Sequence, residues 1–166
     1  MQNIEEIYEE YFETINKYLF CLTRNSDISE ELTQETFYIA VQKIDSFKCE
    51  CKISTWLCKI AKNLWIDELK KRKHIKDMDE NELLLLNSKD ELENIIISKE
   101  NKIDLYKKLQ NLDELTREVI YLRISGELSF KEIGTILNIT ETWARVTYYR
   151  GKEKLKEVVY NERKGL

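Results

Sequence analysis

The sequence predicts an all-α protein made of two small helical domains joined by an acidic linker, and three observations carry that expectation. Proline is absent and glycine occurs four times in 166 residues, so the chain lacks the turn formers on which sheet-rich folds depend. Apolar side chains recur three and four residues apart along most of its length, the spacing of one helix face. Charge alternates in blocks: residues 1–45 carry −7, 46–76 carry +6, 77–104 carry −6 and 105–166 carry +3, within a net charge of −4. The length suits one ordinary domain or two small ones and excludes a large multi-domain enzyme. No apolar run approaches the roughly 18 residues of a membrane span, and the N-terminus, MQNIEEIYEE, is acidic where a signal peptide is basic and then apolar. A cytoplasmic protein is expected.

The first domain, residues 1–76, reads as a three-helix bundle. Ile4, Ile7, Tyr8, Tyr11, Phe12, Ile15, Tyr18, Leu19 and Leu22 mark a helix ending near Arg24. After Asn25, Ser26 and Asp27, a second helix runs from about Ile28 to Ile44, with Leu32, Thr36, Phe37, Ala40, Val41 and Ile44 available for burial. An irregular segment, Asp45 to Lys52, leads into a third helix from about Ile53 to Lys73, buried along Leu57, Ile60, Ala61 and Leu64, with Trp65 also in the core. Residues 77–98 are acidic with two short apolar clusters and no sustained helical face, which suits a linker. The second domain, residues 99–166, has four helical stretches: Lys99 to Leu112, Thr116 to Ser125, Ser129 to Leu137, and Thr140 to about Tyr160.

Within that domain, Ser129 and Glu132 form an S-x-x-E capping box, Asn138 and Ile139 a short turn, and Thr140 a cap for the last helix. Gly134 allows the short helix to approach its neighbour closely. Helix, tight turn, helix is the layout that seats a second helix in the DNA major groove. At about 100° per residue, Ala144, Thr147, Tyr148, Gly151, Leu155 and Val158 share a core stripe, whereas Arg145, Tyr149, Lys152 and Lys156 share a basic one. Arg145 and Arg150 suit base edges, since a guanidinium makes two parallel hydrogen bonds to guanine; Lys131, Lys152 and Lys156 suit phosphates. The bland alternative is a solvated basic helix.

The first basic block offers a second surface. Trp56, Lys59, Asn63 and Lys70 fall within about 60° on the third helix, with Arg72 nearby, and the preceding Ser46-Phe47-Lys48 adds an aromatic and a cation. Rings stack on unpaired bases while cations follow the backbone, so this combination suits single-stranded nucleic acid. A tryptophan at helical spacing is also an ordinary core residue.

Four cysteines stand at 21, 49, 51 and 58, and His74 is the only histidine. Cys49, Cys51, Cys58 and His74 lack the short paired knuckles of a zinc site, so reduced thiols without metal or other cofactor are expected. Three alternatives share parts of this pattern. A stand-alone helix-turn-helix regulator would dimerise and bind DNA by itself; a thiolate-zinc enzyme or redox switch would carry zinc; a helical adaptor would leave the aromatic-basic face unexplained.

The two halves together resemble the extracytoplasmic-function group of the bacterial sigma-70 family. DISEELTQETFYIAVQKIDSF followed by ISTWLCKIAKNLWIDELKKRK looks like region 2, and LQNLDELTREVIYLRISGELSFKEIGTILNITETWARVTYYRGKEKLKE looks like region 4. The resemblance implies a non-catalytic subunit, with no small-molecule substrate, that directs core RNA polymerase to promoters. It places Asp27, Glu31, Gln34, Glu35 and Phe37 against the polymerase clamp helices, and region 4 near the flap. Phe47, Lys48, Trp56, Lys59 and Asn63, with Lys70 and Arg72, fall where members bind and open the −10 element. Lys131, Thr140, Arg145, Val146, Tyr149, Arg150 and Lys152 fall where members read the −35 element. The family also implies an anti-sigma factor, often membrane-anchored. Many members begin the recognition helix with Gly-Thr-Val, where this chain has Thr142-Trp143-Ala144.

Overall fold

The computed structural model describes residues 3–76 and 108–165. The chain divides into two compact units, residues 1–95 and 96–166, each of which is described by itself. The expected linker, residues 77–98, and the start of the second domain up to residue 107 lie outside the described residues. All regular structure among the described residues is helical.

In the first unit, helix α1 spans Ile4–Thr23 and opens with a capping box, the Asn3 amide donating to Glu6 Oε2 at 3.3 Å. It stops at Arg24, which takes a left-handed conformation with φ 54° and donates its amide to the Phe20 carbonyl at 2.8 Å. Helix α2 spans Ser26–Lys43, starting earlier than expected because Asn25 is itself the cap: its side chain accepts the Ile28 amide at 3.0 Å. Ser26 and Asp27 therefore form the first turn and not a connector. A 3₁₀ turn over Ile44–Ser46 and an irregular stretch lead to helix α3, Ile53–Lys76, which runs three residues beyond the expected end.

Each helix of this unit packs on the other two, burying Ile15, Tyr18, Leu19, Leu32, Ala40, Leu57 and Ala61. A fully buried leucine or isoleucine contributes about 1.5–3 kcal/mol, so these contacts are what hold the three helices together. Trp65 is in the core, as expected. Of the positions expected to be buried, Ile44, Ile60 and Leu64 are half-buried and Val41 is 51% exposed, and Tyr8 on the α1 stripe is 43% exposed. Leu32, Phe37 and Ala40 already fill the inward side of α2, which leaves Tyr8 and Val41 lining an open groove with Ile4, Glu5, Glu9 and Phe37.

In the second unit, residues 108 and 109 are helical and the chain turns at 110 and 111. Helix α4 spans Glu114–Ile124, two residues earlier than expected, because Asp113 caps it. The Asp113 carboxylate accepts the Thr116 amide at 3.2 Å and the Thr116 hydroxyl at 2.6 Å. Helix α5, Phe130–Leu137, carries the expected capping box, with the Ser129 amide donating to Glu132 at 2.7 Å and the Glu132 amide to Ser129 Oγ at 3.2 Å. Helix α6, Glu141–Arg163, follows after Asn138 turns the chain in a left-handed conformation, φ 55°.

The core of this unit gathers Leu109, Leu112 and Ile120, with Tyr148 and Leu155 packed against them. Gly151 lets α6 cross α4 closely: a Cβ there would sit 2.5 Å from Thr116 Cγ2 and 2.6 Å from Ile120 Cδ1. Gly134 makes its close approach to the turn and the first residue of α6. Its missing Cβ makes room for the Ile139 carbonyl oxygen, 2.6 Å away, so it permits the tight turn between α5 and α6.

Candidate nucleic-acid interfaces

The helix-turn-helix places α6 as a long, partly exposed helix whose inner face is settled by packing. Ala144, Thr147 and Gly151 are buried and Tyr148 and Leu155 half-buried, which accounts for the predicted core stripe. Arg145, Val146, Tyr149 and Arg150 are thereby turned outward and exposed, as are Lys131 on α5 and Thr140 at the cap, while Lys152 is half-buried. Thr140 also holds the start of the helix, its Oγ1 accepting the Trp143 amide at 3.0 Å.

An aromatic-cationic cluster organises this surface. Phe130 packs on Tyr148 and Tyr149 with ring centroids 5.4 and 6.2 Å away. The Arg123 guanidinium stands over the Phe130 ring at 4.5 Å and donates to the Leu128 carbonyl at 2.9 Å, which ties α4 to the start of α5. Arg145 stands over the same ring at 5.4 Å and pairs with Glu141 at 2.9 Å. Lys152 lies 5.6 Å from the Tyr148 ring and 5.9 Å from that of Tyr149. These contacts orient the cations, and Arg145 is engaged by both Glu141 and the Phe130 ring. Trp143 carries no role in the sequence reading beyond its place in the Thr142-Trp143-Ala144 start of the helix. Its indole is 56% exposed on the first turn of α6, about 80–100° around the helix from the buried Gly151 and Ala144.

In the first unit, Phe47 and Trp56 are both half-buried and lie together, centroids 4.8 Å apart at 31°. Lys48 is exposed in the loop, and Lys59, Asn63 and Lys70 are exposed along the Trp56 side of α3. Arg72 is not brought to this face. It stands about 160° around the helix from Trp56, and its Nε donates to Glu68 at 2.8 Å.

On α2, Asp27, Glu31, Gln34 and Glu35 are exposed. Phe37 differs: it is 4% exposed and packs on Tyr8 and Phe12, so it supports this surface from beneath. Tyr38 and Val41, 66% and 51% exposed, extend the acidic face with apolar area that sequence reasoning did not assign. The thiols divide by location. Cys21 and Cys58 are buried, and burial pushes the Cys58 thiol up to about 12; Cys49 and Cys51 are exposed in the loop before α3. No cluster of three or more metal-ligating side chains occurs among the described residues, and no described helix is long and apolar enough to cross a membrane.

A helix-turn-helix unit joined in one chain to a helical bundle with an aromatic-cationic face defines a class of transcription protein. Residues 7–75 match sigma-70 region 2, and residues 102–155 match sigma-70 region 4. The chain is 30% identical to the ECF RNA polymerase sigma factor SigM of Bacillus subtilis (strain 168) over 162 residues, 95% of each protein. It is 32% identical to SigW of the same organism over 161 residues, 92% of this chain and 86% of SigW. Among solved structures it shares the fold of the sigma factor RpoE from Bartonella quintana, solved with the anti-sigma factor NepR. There the TM-score is 0.76 at 19% identity, covering 94% of this chain and 96% of that one. CnrH, solved with the cytosolic domain of CnrY, gives a TM-score of 0.65 at 17% identity over 94% and 86%. The chain belongs to the extracytoplasmic-function sigma factors of the sigma-70 family, which are transcription initiation factors and not enzymes.

Proposed function

We propose that this sigma factor docks on core RNA polymerase through the acidic face of α2, from Asp27 to Glu35 and on to the apolar Tyr38 and Val41. Region 2 then binds and opens the −10 element while α6 reads the −35 element. Opening duplex DNA costs roughly 1.4 kcal/mol per stacked step, and an unpaired base stacked on an aromatic ring recovers about 1–3 kcal/mol. Phe47 and Trp56 supply the rings, Asn63 an amide for a base edge, and Lys48, Lys59 and Lys70 the cations for the backbone.

The observation that carries this reading is the half-buried Phe47–Trp56 pair among exposed cations, a feature for which a plain helix-turn-helix regulator has no use. Net charge supports it as well. A chain of −4 repels the phosphates that its basic faces attract, so binding depends on holding both units to one polymerase, where the second contact becomes intramolecular. Sigma factors of this fold solved with anti-sigma factors support control by such a partner, which would cover these faces until released. Membrane anchoring of that partner belongs to the same proposal.

The deciding experiment is transcription in vitro with core polymerase on a promoter library, alongside gel-shift titrations with and without the core enzyme. Start-site selection that changes on adding this chain, with little DNA affinity in its free form, is the expected result. Tight specific binding by the free protein, or unchanged start sites, would overturn the reading.

A further inference from the structure

We propose that Trp143, with Val146 beside it, is a specificity-determining residue that recognises thymine methyl groups in the −35 element. This rests on the reading of α6 as the −35 helix. Trp143 is 56% exposed and Val146 39% exposed on the first two turns of α6. The residues of a recognition helix that reach base edges come from its N-terminal part, which is where these two stand. On the helical wheel Trp143, Val146 and Arg150 fall within about 60° of one another, on the side away from the buried Ala144 and Gly151. The three positions form one ridge along the helix, facing whatever the helix enters.

The chemistry of that ridge selects the ligand. Base pairs offer hydrogen-bond donors and acceptors in the major groove, and the apolar group among them is the thymine C5-methyl. An exposed indole next to an exposed isopropyl offers a single N–H donor and is otherwise apolar, so most of its area gains from covering a methyl. Arg145, the residue best placed by charge for guanine, is instead held by Glu141 at 2.9 Å and lies over Phe130 at 5.4 Å. Trp143 has no such duty in the fold. The Thr140 hydroxyl engages its backbone amide and not its indole, so the side chain can be removed without undoing the cap. The flanking cations, Lys131 and Lys152, neutralise phosphates and bring the ridge to the bases.

The test replaces each thymine of the −35 element with 2′-deoxyuridine, which removes the methyl and keeps every hydrogen-bonding group. Holoenzyme binding to these duplexes is measured for the wild type and for Trp143→Ala and Val146→Ala. The wild type is expected to lose about fourfold per methyl contacted, the value of one buried methyl group. Trp143→Ala is expected to bind the thymine duplex more weakly and to become indifferent to deoxyuridine at the same position, with thermal unfolding unchanged. A wild type indifferent to deoxyuridine throughout, or a Trp143→Ala protein that keeps the full penalty, would overturn the proposal while leaving −35 reading intact. Scrambling the whole −35 element without effect would defeat both readings. A Trp143→Ala protein that initiates as the wild type on every promoter would assign the indole to a protein partner.

Discussion

The ring of Phe47 lies against the indole of Trp56, centroids 4.8 Å apart and planes inclined by 31°, so a residue of the connecting loop and one from the first turn of α3 form a single aromatic platform. The pair joins the loop before α3 to the longest helix described in the first unit. Movement of the loop would therefore move the stacking surface.

If that platform captures unpaired bases, Trp56→Ala and Phe47→Ala should each reduce open-complex formation by about 1–3 kcal/mol while changing closed-complex binding much less. Permanganate reactivity of −10 thymines reports the open state, and gel shifts at low temperature the closed one. Because the rings touch, the double variant should cost less than the sum of the single ones. Asn63→Ala should follow the same pattern. Equal loss at both stages would place these residues in initial binding instead.

The two arginines of α6 should behave differently. Arg150→Ala is expected to cost about 1–3 kcal/mol and to relax preference at one −35 position, because its side chain is exposed and shares the ridge with Trp143. Arg145→Ala should cost less, since part of its interaction with DNA is offset by leaving Glu141. Promoter selection from a randomised −35 pool measures both. Uniform weakening on all sequences would assign Arg150 to phosphate.

Gly134→Ala should damage the second unit more than a solvent-exposed substitution can. The new methyl would lie 2.6 Å from the Ile139 carbonyl oxygen, backbone that cannot yield without opening the turn. Overpacking of this kind costs typically about 1–3 kcal/mol. Gly151→Ala meets side-chain atoms of Thr116 and Ile120: Ile120 Cδ1 can swing aside, whereas Thr116 Cγ2 moves only by turning its hydroxyl off Asp113, so the cost should appear at the α4 cap. Chemical denaturation of the intact chain, followed by hydrogen exchange in α4, α5 and α6, separates the two.

Stability should fall at both ends of the pH range for separate reasons. Burial raises the Cys58 thiol from its ordinary value of 9.0 to about 12, so the unfolded chain releases that proton first and unfolding is favoured as pH rises from 9.0 toward 12. Cys58→Ala should flatten the alkaline limb. The Thr116 hydroxyl, donating to Asp113, holds that carboxyl below its ordinary 3.8, so the cap is present above 3.8 and is lost as pH falls beneath it. Asp113→Asn should keep the cap and remove the acid dependence. In native protein Cys49 and Cys51 should react with an alkylating reagent while Cys21 and Cys58 stay protected, which peptide mass spectrometry reads directly.

Much of the molecule was legible in local sequence because helices, caps and turns are local. The capping box at Ser129 and Glu132, the cap at Thr140, the core stripe of α6 and the end of α1 at Arg24 all follow from residues within a few positions of one another. The helices that start earlier than expected are capped by Asn25 and Asp113, each the first residue of a stretch that reads as a connector. The aromatic-cationic strip of α3 could be drawn on a helical wheel, and the family resemblance gave it a role.

What the sequence by itself determined is therefore the order and type of the helices, the inward face of each, and the family to which the chain belongs. Only the tertiary structure decided that Phe47 reaches Trp56, that Arg145 is shared between Glu141 and Phe130, that Phe37 lies beneath its surface, and that Val41 and Trp143 are left outside. Periodicity states which side chains share a face. How much of that face is covered depends on the width of the neighbouring helices and on where the loops return, and those distances are set only when the units pack.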